Sequence, residues 1–305
     1  MKTQEFVSIY RDAGFNIKTI EGLDFYQQGL LNYSYPNLVT MPINDAVINA
    51  VKWKYPISMI LTNLQRKNTY EFILHTNDYS IDRFAKKIRN RIRKSLQNCT
   101  FNRPGLEEMK TSGLYLNRQT LKRQNRSDKT LTDARIWSNY VTSLYNHNEV
   151  DFLGAYYSGR MVGYIIAAKL EEKYIIVHAF IDRNDSETTD PMNGLIFTLV
   201  NQLINKKETV TISYGLDSFL PLVELNRFKS NMLFERIPVS RAYIIHPVLL
   251  LFIRLVIFYY INILEYRNVR NSFTRKLIRL YQGYRLYFRE CNSCIKKPAQ
   301  KIVSL

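Results

Sequence analysis

The pattern of apolar and polar positions is most legible between Val150 and Ile181. Three runs rich in β-branched and aromatic residues, Val150 to Tyr157, Arg160 to Leu170 and Tyr174 to Ile181, are separated by short polar turns. The first turn carries Ser158-Gly159, so an antiparallel meander of three strands is predicted. Downstream, Asp190-Pro191 reads as a helix start, Asp as cap and Pro in the first turn, and Met192 to Ile204 follows with an apolar period near 3.6. Thr209 to Tyr214 then reads as a strand, Leu220 to Leu233 as a helix and Glu235 to Ile245 as a last strand.

Upstream the pattern is thinner. Ile57 to Leu64 and Tyr70 to His75 are short strand-like runs split by Gln65-Arg66-Lys67-Asn68, which reads as a hairpin. Ser80 or Asp82 is expected to cap a helix running to about Asn98, with Ile81, Phe84, Ile88, Ile92 and Leu96 on one face and seven basic residues around the rest. A strand near Cys99 to Arg103 and helical stretches at about 106–124 and 132–147 precede the meander. The first fifty residues show no period beyond a candidate N-terminal helix. From Val248 to Leu264 the chain is apolar except for Arg254 and Asn262, which is short for a membrane span.

With 305 residues and 46% hydrophobic positions the chain can bury a substantial core, which excludes a disordered chain. The net charge of +17 changes that picture because it is uneven. Lys and Arg number 22 against 13 acids over residues 1–150, 10 against 11 over 151–246, and 11 against 2 over 247–305. Basic residues gathered in one helix and one tail suit an anionic membrane surface or a phosphorylated substrate better than a nucleic-acid groove. Cys99, Cys291 and Cys294 form no disulfide framework, and Cys291-Asn-Ser-Cys294 lacks the strand-to-helix context of a redox motif. The first residues lack the apolar run of a secretory signal, so a cytoplasmic location is expected, peripheral to the inner face of the membrane.

Three stretches resemble the GNAT acyltransferase superfamily, and within it the FemAB-like and polysaccharide-cluster members. Asp151 to Gly163 is similar to the family's hairpin ending in arginine, x, valine, glycine; Ile212 to Ser218 resembles its strand exit; and Asn226 to Phe234 resembles its phenylalanine-lysine pair followed by a large aromatic before the last strand. The order of meander, helix, strand, helix, strand resembles the C-terminal half of that fold. The resemblance implies an α/β (α+β) architecture: a mixed sheet with an antiparallel meander flanked by helices, with room for two related modules, plus a C-terminal helical tail. The expected division is an N-terminal region over 1–104, which would hold a truncated module, a GNAT-like acyltransferase domain over 105–246, and an apolar-basic tail over 247–305.

The implied activity is acyl transfer to nitrogen or oxygen of an amino sugar or another cell-envelope precursor, free or lipid-linked. In the family a glycine-rich loop at a helix N-terminus cradles the pyrophosphate of acyl-CoA. The matching stretch here, Arg183 to Gly194, has one glycine and the acids Asp185, Glu187 and Asp190, which would repel a pyrophosphate. The donor is therefore acyl-CoA or another activated acyl group, as with the aminoacyl-tRNA used by some FemAB-like relatives. The alternative is a non-catalytic GNAT-like scaffold holding anionic membrane, through 248–289, or RNA.

Acyl transfer needs a proton acceptor and a donor for the oxyanion. Tyr214 is the candidate acid or oxyanion donor and Asp217 the candidate base, although Asp217-Ser218 also suits a helix cap. The resemblance makes Lys229 an anchor for phosphate or carboxylate, where an exposed lysine is the plainer reading. Arg123 and Arg126 could clamp a phosphorylated acceptor or simply end a solvated helix. His178, read with Ile176 and Phe180 on one strand face, is a substrate-binding candidate or a core histidine. The four histidines have no ligand spacing, so no metal is expected.

Overall fold

A computed structural model describes residues 1–184, 186–218, 222–264, 280–281 and 283–285. The Cys291/Cys294 pair and the basic positions Arg267, Arg270, Arg275, Lys276 and Arg279 lie outside the described residues. From the N-terminus run α1 (Thr3–Asp12), β1 (Ile17–Ile20), β2 (Leu23–Gln28), β3 (Leu31–Ser34), α2 (Asp45–Lys52), β4 (Ile57–Thr62) and β5 (Thr69–Thr76). A 3₁₀ turn at Ile81–Arg83 leads to α3 (Lys86–Asn98) and β6 (Thr100–Asn102). Then come α4 (Leu106–Glu108), a π-helical turn at Met109–Gly113, α5 (Leu114–Arg123), α6 (Lys129–Thr132) and α7 (Ala134–Tyr145). The meander is β7 (Val150–Tyr157), β8 (Arg160–Leu170) and β9 (Lys173–Ile181). It is followed by α8 (Ser186–Thr189), α9 (Pro191–Lys206), β10 (Val210–Leu216), α10 (Val223–Asn231), β11 (Glu235–Ile245) and α11 (Pro247–Leu264).

The chain divides into two compact units that alternate along the sequence. The first comprises Met1–Phe15, Glu71–Gly215 and Val223–Arg236; the second comprises Asn16–Tyr70, Leu216–Leu222 and Ile237–Leu305.

In the first unit the strand order is β5-β10-β9-β8-β7-β6. β6 to β9 pair antiparallel, and β10 joins β9 in parallel. The β7–β8 turn works because Ser158 and Gly159 both take positive φ, 50° and 75°, as a tight hairpin twisted with its strands requires. One face of the sheet is covered by α3 and α9, whose Ile88, Ile92, Leu195, Ile196, Leu199 and Leu203 pack on Leu153, Ala155, Ile165 and Ala167. Each such side chain stabilises the fold by about 1.5–3 kcal/mol. On the opposite face α1 and α7 contribute Tyr10, Trp137 and Tyr140 to an aromatic layer with Tyr164, His178 and Phe180.

In the second unit the order is β1-β2-β3-β4-β11, with only the β3–β4 pair parallel among them. Successive residues of β4 and β11 bury on opposite faces, as a strand's period of two demands. Ile60, Ala242 and Ile244 meet Val47, Ile48 and Val51 of α2, whereas Met59, Tyr243 and Ile245 meet Leu250 and Ile253 of α11.

Four sequence expectations change in detail. β4 pairs with β3 and β11 while β5 pairs with β10, so the expected 57–75 hairpin does not form. The basic helix begins at Lys86, after a 3₁₀ turn, and neither Ser80 nor Asp82 caps it. Asp190 stands at the N-cap position of α9, but in a left-handed conformation (φ 48°) and with no side-chain cap bond. Ile176 does not share a face with His178 and Phe180. β9 bulges at Val177, because Ile166 opposes His178 while Ala167 opposes Ile176, so the alternation inverts there.

Candidate functional site

The bulge determines where a ligand can enter the first unit. β9 and β10 pair in register only at Tyr174–Ile212 and Ile175–Ser213. Beyond the extra residue at Val177 the two strands have no paired residues, and a cavity of about 340 Å³ lies there. Ala179 and Ile181 of β9 form one wall, and Tyr214 of β10 another. The rest is supplied by helix ends: Asp190 to Asn193 at the start of α9, Thr120, Arg123 and Gln124 at the end of α5, and Leu225 and Phe228 of α10. Thr120 donates to the carbonyl of Ile181 (3.3 Å), which fastens α5 to the end of β9. An apolar chamber with a few converging polar groups is the usual form of a small-molecule site.

Among those polar groups Tyr214 is the best placed for chemistry. Among the described residues its hydroxyl meets only the Met192 sulfur, at 4.0 Å, so there its donor capacity is uncommitted to any strong acceptor. Burial raises its pKa well above the ordinary tyrosine value, so the phenol stays protonated and can donate but not serve as a base. The ring is fixed edge-on by Phe234 (5.3 Å between centroids) and Phe228 (6.4 Å).

Lys229 is a buried cation and not a solvated helix lysine, being only 4% exposed. Its ammonium sits 5.0 Å from the Tyr214 ring and 4.5 Å from the Phe72 ring. It therefore braces the cavity wall from behind, while its neighbour Phe228 faces the cavity. A second buried group holds β10 from the sheet side. Glu71, 4% exposed, accepts from Lys173 (2.8 Å) and from Ser213 (2.6 Å), and the Ser213 hydroxyl accepts from the Gly215 N–H (3.1 Å).

The remaining predicted residues are distributed unequally. Arg123 is exposed and lines the cavity; Arg126 does not line it, but donates to Gln124 Oε1 (3.0 Å), which does. His178 points into the aromatic layer on the other sheet face, where its Nε2 lies 2.8 Å from the Tyr140 hydroxyl. Loss of hydration there lowers its pKa to about 4, so the ring is neutral at pH 7. Asp217 belongs to the second unit, is buried, and donates its backbone N–H to the Tyr70 carbonyl (2.7 Å); it does not line the cavity.

The carboxylate that does line the cavity is Asp190. Sequence reading assigns it to capping, and its carboxylate instead approaches Lys94 of α3 at 3.8 Å. A carboxylate just before a helix that follows the meander is the one available signal, and capping competes for it. The start of α9 is not a phosphate cradle. Pro191 offers no N–H, the Asn193 N–H is taken by the Asp190 carbonyl (3.1 Å), and the Asp190 carboxylate stands at the mouth. Gly194 serves packing: a Cβ there would lie 2.3 Å from Ser95 Oγ and 2.3 Å from the Phe101 ring. The residues at this helix start do not fit the pyrophosphate of CoA.

No family model matches the sequence, and no curated protein matches it. Solved structures do resemble it. FemX superposes with a TM-score of 0.55 at 10% identity, over 83% of this chain and 93% of that one. The C-terminal domain of a protein assigned as a lysylphosphatidylglycerol synthetase, from Agrobacterium fabrum, gives 0.54 at 10% identity, over 82% and 90%. A conserved protein of unknown function from Bacteroides thetaiotaomicron gives 0.53 at 12%, over 79% and 88%. The chain thus has a GNAT-like fold, similar to those structures, with a mixed sheet flanked by helices in each unit.

Proposed function

We propose that the chain is an acyltransferase that moves an activated acyl group onto the amine or hydroxyl of an amino sugar or another cell-envelope precursor. The single observation that carries this reading is the cavity between β9 and β10, with the uncommitted hydroxyl of Tyr214 on its wall. The acceptor's nitrogen or oxygen attacks the acyl carbonyl carbon, a bond to that carbon forms, and the carbonyl electrons move onto oxygen. Tyr214 donates a hydrogen bond to this oxyanion, in a setting where burial keeps the phenol protonated. The acceptor's proton passes to Asp190, the carboxylate at the cavity mouth, directly or through one water. Collapse of the intermediate expels the carrier. Arg123 meets a phosphate or carboxylate of the acceptor or carrier at the rim.

In this reading the donor is an activated acyl group whose recognition does not depend on a CoA nucleotide, because the start of α9 offers CoA phosphates no cradle. The FemX likeness, and that to a protein assigned as a lysylphosphatidylglycerol synthetase, support a cell-envelope substrate. A binding-only role is the second reading, favoured by Lys94 standing 3.8 Å from the one cavity carboxylate named above.

The test is acyl transfer from short thioesters, with and without the CoA nucleotide, to a panel of amino sugars, read by mass spectrometry. Transfer is expected from the truncated thioester at a rate comparable to acyl-CoA. Tyr214→Phe should lower kcat by about 10²-fold with little change in thermal stability. A product that needs the CoA nucleotide would overturn the donor assignment. Ligand-induced stabilisation with no product, unaltered by Tyr214→Phe, would establish the binding-only role.

A further inference from the structure

The second unit presents an apolar surface that the transfer site does not use. α11 lies flat on its sheet through Leu250 and Ile253, both buried. Its other face carries Val248, Leu251, Phe252 and Leu255, which are 69%, 60%, 56% and 59% exposed. At about 100° per residue these four share an arc about 100° wide, opposite the packed residues, with Arg254 on the flank. Isolated apolar residues on a surface are ordinary, whereas four aligned on one helix face form a patch that water penalises.

The surroundings of the patch indicate what covers it. Trp53, 62% exposed, stacks edge-on against His246 at the N-terminal end of α11 (5.6 Å between centroids). Lys52 places its ammonium 5.6 Å from the Trp53 ring, and Lys54 is exposed beside it. Indole with flanking lysines is the composition of a protein edge seated at lipid headgroups. α11 contains no acid, and residues 247–305 carry 11 Lys or Arg against 2 acids. An anionic surface therefore complements this end of the chain in charge as well as in polarity. One face of α11 is committed to the sheet, and among the described residues no helix is long and apolar enough to cross a membrane.

We propose that the outward face of α11, with Trp53 at its N-terminal end, lies in the interfacial layer of an anionic membrane. The helix inserts Val248, Leu251, Phe252 and Leu255 among the acyl chains just below the headgroups, and Lys52, Lys54 and Arg254 remain at headgroup level.

The chain contains two tryptophans, and Trp137 is fully buried, so lipid contact is reported by Trp53. The experiment uses the full chain with phosphatidylcholine vesicles, with and without phosphatidylglycerol, read by co-sedimentation and tryptophan emission. The wild type is expected to sediment with the anionic vesicles and to shift its emission to the blue. Trp53→Phe should abolish the shift while retaining most of the sedimentation. The double variant Leu251→Asn/Phe252→Asn, at exposed positions, should keep its melting temperature and lose at least about tenfold in affinity. Three outcomes would overturn the proposal. One is no vesicle binding by the wild type. Another is equal binding by the double variant, which would place attachment on the basic residues after Leu264. The last is a lipid-free oligomer that the double variant dissolves, which would make a second copy the occupant.

Discussion

His178 shows how a single residue can be written one way in sequence and used another. It sits beside aromatic neighbours, Tyr140, Trp137 and Phe180, and its ring nitrogen meets the Tyr140 hydroxyl, itself 2.9 Å from that of Tyr10. Its pKa in the fold, about 4, is below the unfolded value near 6.5. Between those values the unfolded chain binds a proton that the folded chain refuses, so stability falls as pH falls through 6.5 towards 4. His178→Gln keeps a hydrogen-bonding amide beside the Tyr140 hydroxyl and cannot titrate. Urea unfolding at a series of pH values should show the difference in stability between wild type and His178→Gln shrinking on acidification below about pH 6.5. A constant difference would mean that the ring is hydrated and titrates normally.

At the scale of elements, the close crossing of α3 and α9 rests on Gly194. A methyl group there must displace Ser95 or Phe101, so Gly194→Ala is expected to cost about 1–3 kcal/mol, despite alanine's better helix propensity. Denaturant unfolding measures it, and a stabilised Gly194→Ala would show that the helices can part freely. The trio of Glu71, Ser213 and Lys173 that ties β5, β10 and β9 together, buried at Glu71 and Ser213, gives a second expectation. Glu71→Ala removes the carboxylate that accepts from the buried Ser213 hydroxyl and from Lys173 and should cost about 1–3 kcal/mol, the loss seen in a lower urea midpoint. The same elements show which parts of the fold are legible in sequence. β7 to β9, α9, β10 and β11 announce themselves because each is seven residues or longer, rich in β-branched, aromatic or helically spaced apolar residues, and bounded by polar turn or cap signals. β1 and β3 are four residues long, so no period can declare itself, and β2 is only half-buried over most of its length. That β11 rather than β5 pairs with β4 depends on partners far apart in sequence, to which local turn chemistry is blind. The Val177 bulge leaves no mark in an unbroken apolar run, yet it turns Ala179 and Ile181 towards the cavity and His178 away. Of the candidates read in the sequence, Tyr214 and Arg123 line the cavity and Lys229 packs against the Tyr214 ring behind its wall, whereas Arg126, His178 and Asp217 do not line it. Asp190 is missed because capping explains it equally well there.

For the whole molecule, the alternation of the two units along the chain has a consequence for cutting it. The first unit leaves the sequence after Phe15, resumes at Glu71, and takes its last piece from Val223–Arg236. A fragment of residues 105–246 would contain the meander, α9, β10 and α10, which carry the visible family-like stretches. It would lack Phe72, Leu74, Tyr79, Phe84, Ile88, Ile92 and Cys99, all buried in the same core as Leu195, Leu199 and Ile212. It would also lack Phe6 and Tyr10 of α1, which are buried and pack around Tyr140. Removing even a few such side chains at about 2–5 kcal/mol each exceeds the 5–15 kcal/mol by which domains are stable. The fragment is therefore expected to show no cooperative thermal transition and to expose apolar surface to a hydrophobic dye. A fragment of residues 1–246 keeps the whole first unit but removes α11 from its sheet, uncovering Met59, Tyr243 and Ile245. Its first-unit core should still melt cooperatively and Tyr214-dependent transfer should survive, while vesicle binding is lost. Calorimetry of the two fragments decides it: a sharp transition for residues 105–246 would show that α9 and the meander stand without α3 and β5, contrary to the packing around Gly194.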